Sequence, residues 1–282
     1  MKSFHQLLKE QKTIVIPGVF NAASALLAKN AGFTAMYLSG SGIATGCFGV
    51  PDLGVTTLDN VCEEVRRISH VETLHATSLL VDADTGFGNE TEAVKKLESA
   101  GAAGIHLEDQ VFPKRCGHRP GKEVVPPEEM VLKIQTAVKA RTNPDFFIIA
   151  RVDSRNVLGF DDALDRAKKY QEAGADAIFA EALESKDEYK KFVDALKIPV
   201  LANMTEFGKT PYLSVYEFES VGVRMVIFPL TAFRRMMKAV DEVYKVLKKE
   251  GTQKPILNNM QTRDELYRLL NYYEAEKIID KK

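Results

Sequence analysis

Residues 78–108 read Ser78-Leu79-Leu80-Val81-Asp82-Ala83-Asp84-Thr85-Gly86-Phe87-Gly88-Asn89-Glu90-Thr91-Glu92-Ala93-Val94-Lys95-Lys96-Leu97-Glu98-Ser99-Ala100-Gly101-Ala102-Ala103-Gly104-Ile105-His106-Leu107-Glu108. A short apolar run, Ser78–Asp82, gives way to glycines and then to a stretch with Ala93, Val94 and Leu97 at helical spacing. The helix closes on Ala100-Gly101, and a second apolar run follows at Gly104–Glu108. Both runs are continuous rather than alternating, as in strands of a parallel sheet buried on two faces. The same unit recurs outward in both directions. Ala31-Gly32, Ala173-Gly174 and Val221-Gly222 repeat the helix ending, where Gly supplies a left-handed residue. Strands are expected near Thr13–Pro17, Ala35–Ser39, Ser78–Asp82, Gly104–Glu108, Phe146–Arg151, Ala177–Glu181, Pro199–Asn203 and Arg224–Pro229. Helices are expected at Ala22–Asn30, Thr57–Ser69, Glu90–Ser99, Pro127–Arg141, Phe160–Glu172, Lys186–Leu196, Leu213–Ser220 and Ala232–Lys249.

Eight such units in about 250 residues predict an α/β fold, a (β/α)8 barrel of TIM type. An open doubly wound sheet is the alternative. Gly40–Gly46 follows a strand but lacks G-x-G-x-x-G spacing, and Pro51-Asp52 follows it; it reads as a loop, not as a dinucleotide-binding helix start. Thr252–Pro255 breaks the pattern late, and Thr262–Lys277 reads as one further helix. One domain over 1–282 is expected, with 252–282 as a C-terminal helical tail.

Composition narrows the class. The chain of 282 residues is 45% hydrophobic, enough for a large core, and 38 Lys+Arg against 39 Asp+Glu leave a net charge of −1. That balance advertises neither nucleic acid nor an anionic membrane. Cys47, Cys62 and Cys116 are odd in number and widely spaced, which disfavours a disulfide scaffold or thiolate zinc site and fits a reducing compartment. No apolar run approaches membrane-spanning length, and a cytoplasmic protein is expected.

In a parallel barrel the chemistry sits at the C-terminal strand ends, and these ends are polar. They carry Ser39-Gly40-Ser41-Gly42, Asp82-Ala83-Asp84, Glu108-Asp109, Arg151-Val152-Asp153, Glu181 and Asn203-Met204-Thr205. Asp82 and Asp84 are two apart, so a strand would project both to one side. Two carboxylates aimed at one pocket repel unless a proton or cation lies between them. With Glu108 and Glu181 near, a hard divalent cation, Mg2+ before Mn2+, is the economical answer; no His pair has zinc spacing. The bland reading of the pair is a capping arrangement for the Asn89–Glu92 turn.

The loop Lys114-Arg115-Cys116-Gly117-His118-Arg119-Pro120-Gly121-Lys122 is long for a barrel and reads as a lid. Its cations and His surround one Cys, a setting in which thiols become reactive. Cys47 and Cys62 lack that setting. Arg151, Arg234 and Arg263 are candidates for gripping carboxylates.

The runs Val81–Gly88, His106–Gln110 and Lys114–Pro120 closely resemble the isocitrate lyase / phosphoenolpyruvate mutase superfamily, over nearly the whole chain from Pro17-Gly18 to Arg263. The resemblance implies a (β/α)8 barrel whose eighth helix is exchanged between paired subunits, in a homotetramer. It implies that Ser39, Gly40 and Ser41 hold a pyruvate moiety, with Ser41 standing where the family has Gly. Asp82 and Asp84 would be Mg2+ ligands, with Glu108 acting through water, and Cys116 the catalytic residue beside Gly117. Arg151, Glu181, Asn203, Met204, Thr205, Arg234 and Arg263 would complete the contacts to a small tricarboxylate. The implied reaction is a retro-Claisen-type cleavage of (2S,3R)-2-methylisocitrate to pyruvate and succinate, in propionate breakdown by the methylcitrate cycle. Cys116 argues against the phosphonomutase, phosphonopyruvate hydrolase and oxaloacetate decarboxylase branches, which generally lack such a loop, and the chain is much shorter than isocitrate lyases. Side activity on isocitrate or oxaloacetate, and a non-catalytic metabolite-binding barrel, are the rival expectations.

Overall fold

In the computed structural model, which describes residues 2–71, 77–119 and 121–280, eight strands carry the fold. They are β1 (Ile14–Val19), β2 (Ala35–Leu38), β3 (Ser78–Asp82), β4 (Gly104–Glu108), β5 (Phe147–Val152), β6 (Ala177–Ala180), β7 (Val200–Asn203) and β8 (Met225–Phe228). Each pairs in parallel with the next, and β8 pairs with β1, so the sheet closes as a barrel. Closure removes the open-sheet alternative. The helices are α1 (Phe4–Glu10), α2 (Ala22–Asn30), α3 (Gly40–Phe48), α4 (Leu58–Ser69), α5 (Glu90–Ala100), α6 (Pro127–Ala140), α7 (Phe160–Glu172), α8 (Lys186–Ala195), α9 (Val215–Ser220), α10 (Thr231–Glu250), α11 (Arg263–Leu269) and α12 (Tyr272–Ile279). None of them is long and apolar enough to cross a membrane. Pro120, which ends the loop motif, and residues 281 and 282 of the tail lie outside the described residues.

Two apolar layers hold the barrel. Side chains such as Val81, Ile105, Ile148 and Val226 pack outward against the helices. Ile14, Tyr37, Leu80, Phe147, Phe179 and Leu201 fill the interior, and α1 closes its lower end with Phe4 and Leu7. The two layers alternate along each strand because successive side chains face opposite ways. The expected glycine endings are present: Gly32, Gly101, Gly174 and Gly222 have φ between 88° and 110°. At Gly101 a side chain is also sterically barred, since a Cβ there would meet Ser69 Oγ at 2.4 Å.

Two local expectations are corrected. Gly40–Phe48 is a helix, capped by Ser39, whose Oγ accepts from the Gly42 amide. Its glycines lower intrinsic helicity, but Gly46 lies against Phe233, leaving only 3.0 Å for a Cβ. The tail is two helices instead of one, because Asn271 takes a left-handed φ of 53° between α11 and α12. Helix α10 buries only Phe233; Met237, Val240, Tyr244 and Leu247 form an exposed apolar stripe at helical spacing.

Candidate active site

Parallel register builds the floor of the site. Asp82 on β3 stands opposite His106 on β4, and Tyr37 projects into the barrel from β2. Tyr37 Oη donates to Asp82 Oδ2 at 3.3 Å and lies 2.9 Å from His106 Nε2. His106 Nδ1 is buried without a partner among the described residues. An unpaired lone pair is less costly than an unpaired N–H, which places the ring hydrogen on Nε2, toward Tyr37. Burial pushes His106 down to about 4, so it is neutral near pH 7. Burial also pushes the Tyr37 phenol well up.

Asp82 accepts from the Gly40 amide at 3.1 Å and the Asp84 amide at 3.0 Å. Burial opposes its ionisation, but Lys114, Arg151 and the Asp84 amide hold it well below the usual carboxylate range. Asp84 approaches Asp82 by a route other than strand alternation, without lining the cavity: β3 ends at Asp82, and Asp84 has a left-handed φ of 46°. Both carboxylates nevertheless converge on Gly40, whose Cβ would lie 3.0 Å from Asp82 Oδ2 and 3.5 Å from Asp84 Oδ1. The α5 cap is Asn89, which leaves the aspartates free of that duty. Lys114 Nζ lies 2.7 Å from Asp84 and 2.6 Å from Asp52. Even so, burial with Asp82 and Asp52 nearby pushes Asp84 up to about 6.

Arg151, buried at the end of β5, ties together the other wall. It lies 3.1 Å from Glu108, donates to both oxygens of Asp153, and sits 5.0 Å from the Phe179 ring centroid. Burial of Glu181 is outweighed by Arg151 and His118, and its carboxyl stays well below the usual range. Lys209 donates its amide to His118 Nδ1 at 3.0 Å, so His118 Nε2 carries the hydrogen directed at Glu181 Oε1, also 3.0 Å away. Asn203 Nδ2 donates to Glu181 at 3.2 Å.

Cys116, Gly117 and His118 thereby dock across the barrel mouth and enclose a cavity of about 300 Å3. Its lining includes Ser39, Ser41, Asp82, Arg151, Glu181, Asn203, Thr205 and Arg234, from five different strand ends and the start of α10. Gly40 and Glu108 lie directly behind this lining, held to Asp82 and Arg151. Met204 does not face the cavity: alternation along the chain turns it into the outer core, where its Sδ accepts from the Leu213 amide at 3.3 Å. Arg263 is exposed on α11 and is not part of the lining. A separate groove of about 880 Å3 lies outside the mouth, between α4, α5 and α6, and has none of this convergent chemistry.

Tyr37 and His106 were not among the expected site residues; Lys114, His118 and Lys122 were expected only as the charged setting of Cys116, and Asp153 only as part of a polar strand end. The i, i+2 spacing of His106 with Glu108 and of Tyr37 with Ser39 was the available signal, since such pairs share one side of a strand.

The carboxylates suit a hard cation. Among the described residues Glu108 Oε1 is buried with neither a hydrogen bond nor an ion pair, Asp84 Oδ1 and Glu108 Oε2 face only the cations of Lys114 and Arg151, and burial pushes Glu108 well above its ordinary value despite Arg151. Oxygen donors in negative excess fit Mg2+. Among the described residues no three His, Cys, Asp or Glu form a ready-made cage, consistent with an ion that keeps several waters.

A profile of the family described as phosphoenolpyruvate phosphomutase matches residues 4–248. The chain is 50% identical over 283 residues to the 2-methylisocitrate lyase of Escherichia coli (strain K12), covering 99% of this chain and 95% of that protein. Among solved structures, it is similar to a 2,3-dimethylmalate lyase of the phosphoenolpyruvate mutase/isocitrate lyase superfamily, with a TM-score of 0.90 and 34% identity, over 99% of this chain and 95% of that one. It is also similar to a phosphonopyruvate hydrolase in complex with oxalate and Mg2+, with a TM-score of 0.83 and 30% identity, covering 96% and 94% of the two chains.

Proposed function

The chain belongs to the phosphoenolpyruvate phosphomutase family, and we propose that within it the protein is a carbon–carbon lyase cleaving (2S,3R)-2-methylisocitrate to pyruvate and succinate. One observation carries the reading: Cys116 lines the same small cavity as Asp82, Arg151 and Glu181, in a chain half identical to a 2-methylisocitrate lyase. Mg2+ held by Asp82 and Asp84, with Glu108 acting through water, would acidify the substrate hydroxyl and stabilise the forming 2-oxo acid as a Lewis acid.

The protein's own groups do the rest. The α3 opening offers the Ser41 amide and the Ser39 and Ser41 hydroxyls to the carboxylate of the pyruvate half, while the Gly40 amide holds Asp82. The substrate hydroxyl gives up its proton to the carboxylate cluster, and the C2–C3 bond breaks with its electron pair moving to C3. That carbanion is delocalised into the adjacent carboxylate as an aci-acid, and Arg151, His118 and Asn203 spread the charge. The Cys116 thiol then donates its proton to C3, completing succinate. Docking of Gly117 against Glu181 and Arg151 excludes water meanwhile.

The whole of 1–282 forms the catalytic unit, with 252–282 as its tail. We assign the exposed stripe of α10 to exchange of this helix between subunits of a homotetramer, which would cover Met237, Val240, Tyr244 and Leu247. A lactate dehydrogenase-coupled pyruvate assay with 2-methylisocitrate, isocitrate and oxaloacetate in parallel tests the activity. Fastest turnover on isocitrate or oxaloacetate would overturn the substrate assignment.

A further inference from the structure

We propose that Gln110 is the positioning residue for Cys116: its side-chain amide clasps the backbone of Arg115 and so fixes the next residue's thiol over the barrel mouth. The part assigned to the thiol rests on the lyase reading; the clasp does not. The loop leaves the barrel through a narrow neck, an isolated antiparallel bridge between Gln110 and Val124. There Val111 N donates to Glu123 O and Val125 N to Asp109 O, each at 2.9 Å. A neck alone would leave the residues beyond it free to sample many conformations.

Gln110 removes that freedom at one point. Its buried side chain turns back along the loop, where Oε1 accepts from Arg115 N and Nε2 donates to Arg115 O, both at 2.9 Å. This is the paired arrangement that a neighbouring strand would supply. Nε2 also donates to Asp153 Oδ1 at 3.2 Å. Lys122, on the returning limb of the loop, reaches the same Oδ1 at 2.9 Å. Both limbs are therefore tied to one buried carboxylate, which Arg151 holds from the barrel side. Only a primary amide of this length can donate and accept at once here. A carboxylate would lose the donor and face Asp153, and Asn is one methylene short. Among the described residues, the one hydrogen bond to the Cys116 backbone is the turn bond from Arg119 N to its carbonyl.

The test compares Gln110→Ala and the nearly isosteric Gln110→Glu with wild type, as full chains with Mg2+. Two readouts are taken: steady-state cleavage of 2-methylisocitrate, and the rate of tryptic cut after Arg115, whose carbonyl the clasp engages. Misplacement of a catalytic group by about 1 Å costs on the order of 10²-fold. Accordingly kcat falls about 10- to 100-fold, while KM moves less than about threefold. Cleavage after Arg115 quickens about tenfold or more, while cuts elsewhere keep the wild-type rate. Wild-type cleavage after Arg115 in both variants overturns the clasp. So does equal acceleration at every site, which would mark general destabilisation, or a loss of activity carried by KM alone. If wild type forms no pyruvate, the lyase reading fails, and the cleavage comparison still decides the clasp.

Discussion

His106 and Asp82 face each other across adjacent strands, with Nε2 and Oδ1 3.4 Å apart and the two residues paired in register. The imidazole is nonetheless neutral, because complete burial disfavours its charge more than Asp82 favours it. Its pKa falls from 6.5 in the unfolded chain to about 4 in the fold. The neutral ring's contribution is therefore fully present above about pH 6.5 and is lost as pH falls toward about 4. His106→Gln should be less stable than wild type at pH 7.5. That gap should narrow by about 1.4 kcal/mol per pH unit across this window, in urea titrations of metal-free protein. A gap independent of pH would show that the ring is charged in the fold.

Chelation should abolish turnover, and Mg2+ or Mn2+ should restore it. Asp84→Asn should fold normally, since the amide keeps the size of the carboxyl and Asp52 still pairs with Lys114, and should bind Mn2+ at least about tenfold more weakly in a paramagnetic resonance titration. Full activity after exhaustive chelation would exclude the metal role.

Cys116→Ser replaces the thiol with a far weaker acid of similar shape. Turnover should drop by about 10²–10⁴-fold, the size of a general-acid effect. Binding of Mg2+ and pyruvate, measured calorimetrically, should change little, because other groups hold them. Near-normal cleavage by the variant would make this cysteine a bystander.

Gly117→Ala tests docking of the loop. A Cβ there would lie 2.2 Å from Glu181 Oε1 and 2.5 Å from Arg151 Nη2, two anchored side chains. The alanine variant should keep its melting temperature within a few degrees and lose kcat/KM by on the order of 10²-fold. Unchanged kcat/KM would mean that the loop does not seat here during turnover.

If α10 is exchanged between subunits, Val240→Asp with Leu247→Asp should lower the mass measured by light scattering toward that of a monomer. The two positions lie on the exposed stripe of α10, and burying each native side chain contributes about 1.5–3 kcal/mol. An unchanged mass would overturn the exchange of α10 between subunits.

The barrel itself was written in local pattern. Ser78–Asp82 and Gly104–Glu108 are strands with the expected limits, because an apolar run and its punctuating glycine are properties of neighbours along the chain. Strand-end polarity likewise marked Asp82, Arg151, Glu181 and Asn203, since all strands of a parallel barrel open their C-terminal ends to one face. Tertiary structure decided the rest. The left-handed turn that swings Asp84 beside Asp82, and the partnership of Tyr37 with His106, depend on the register of separate strands. Gln110's hold on Arg115 depends on a loop folding back over its own neck. Met204 and Asn203 are neighbours in sequence, yet one enters the core and the other the cavity. Periodicity specifies which elements form, whereas barrel closure sets which side chains from distant elements share one desolvated space.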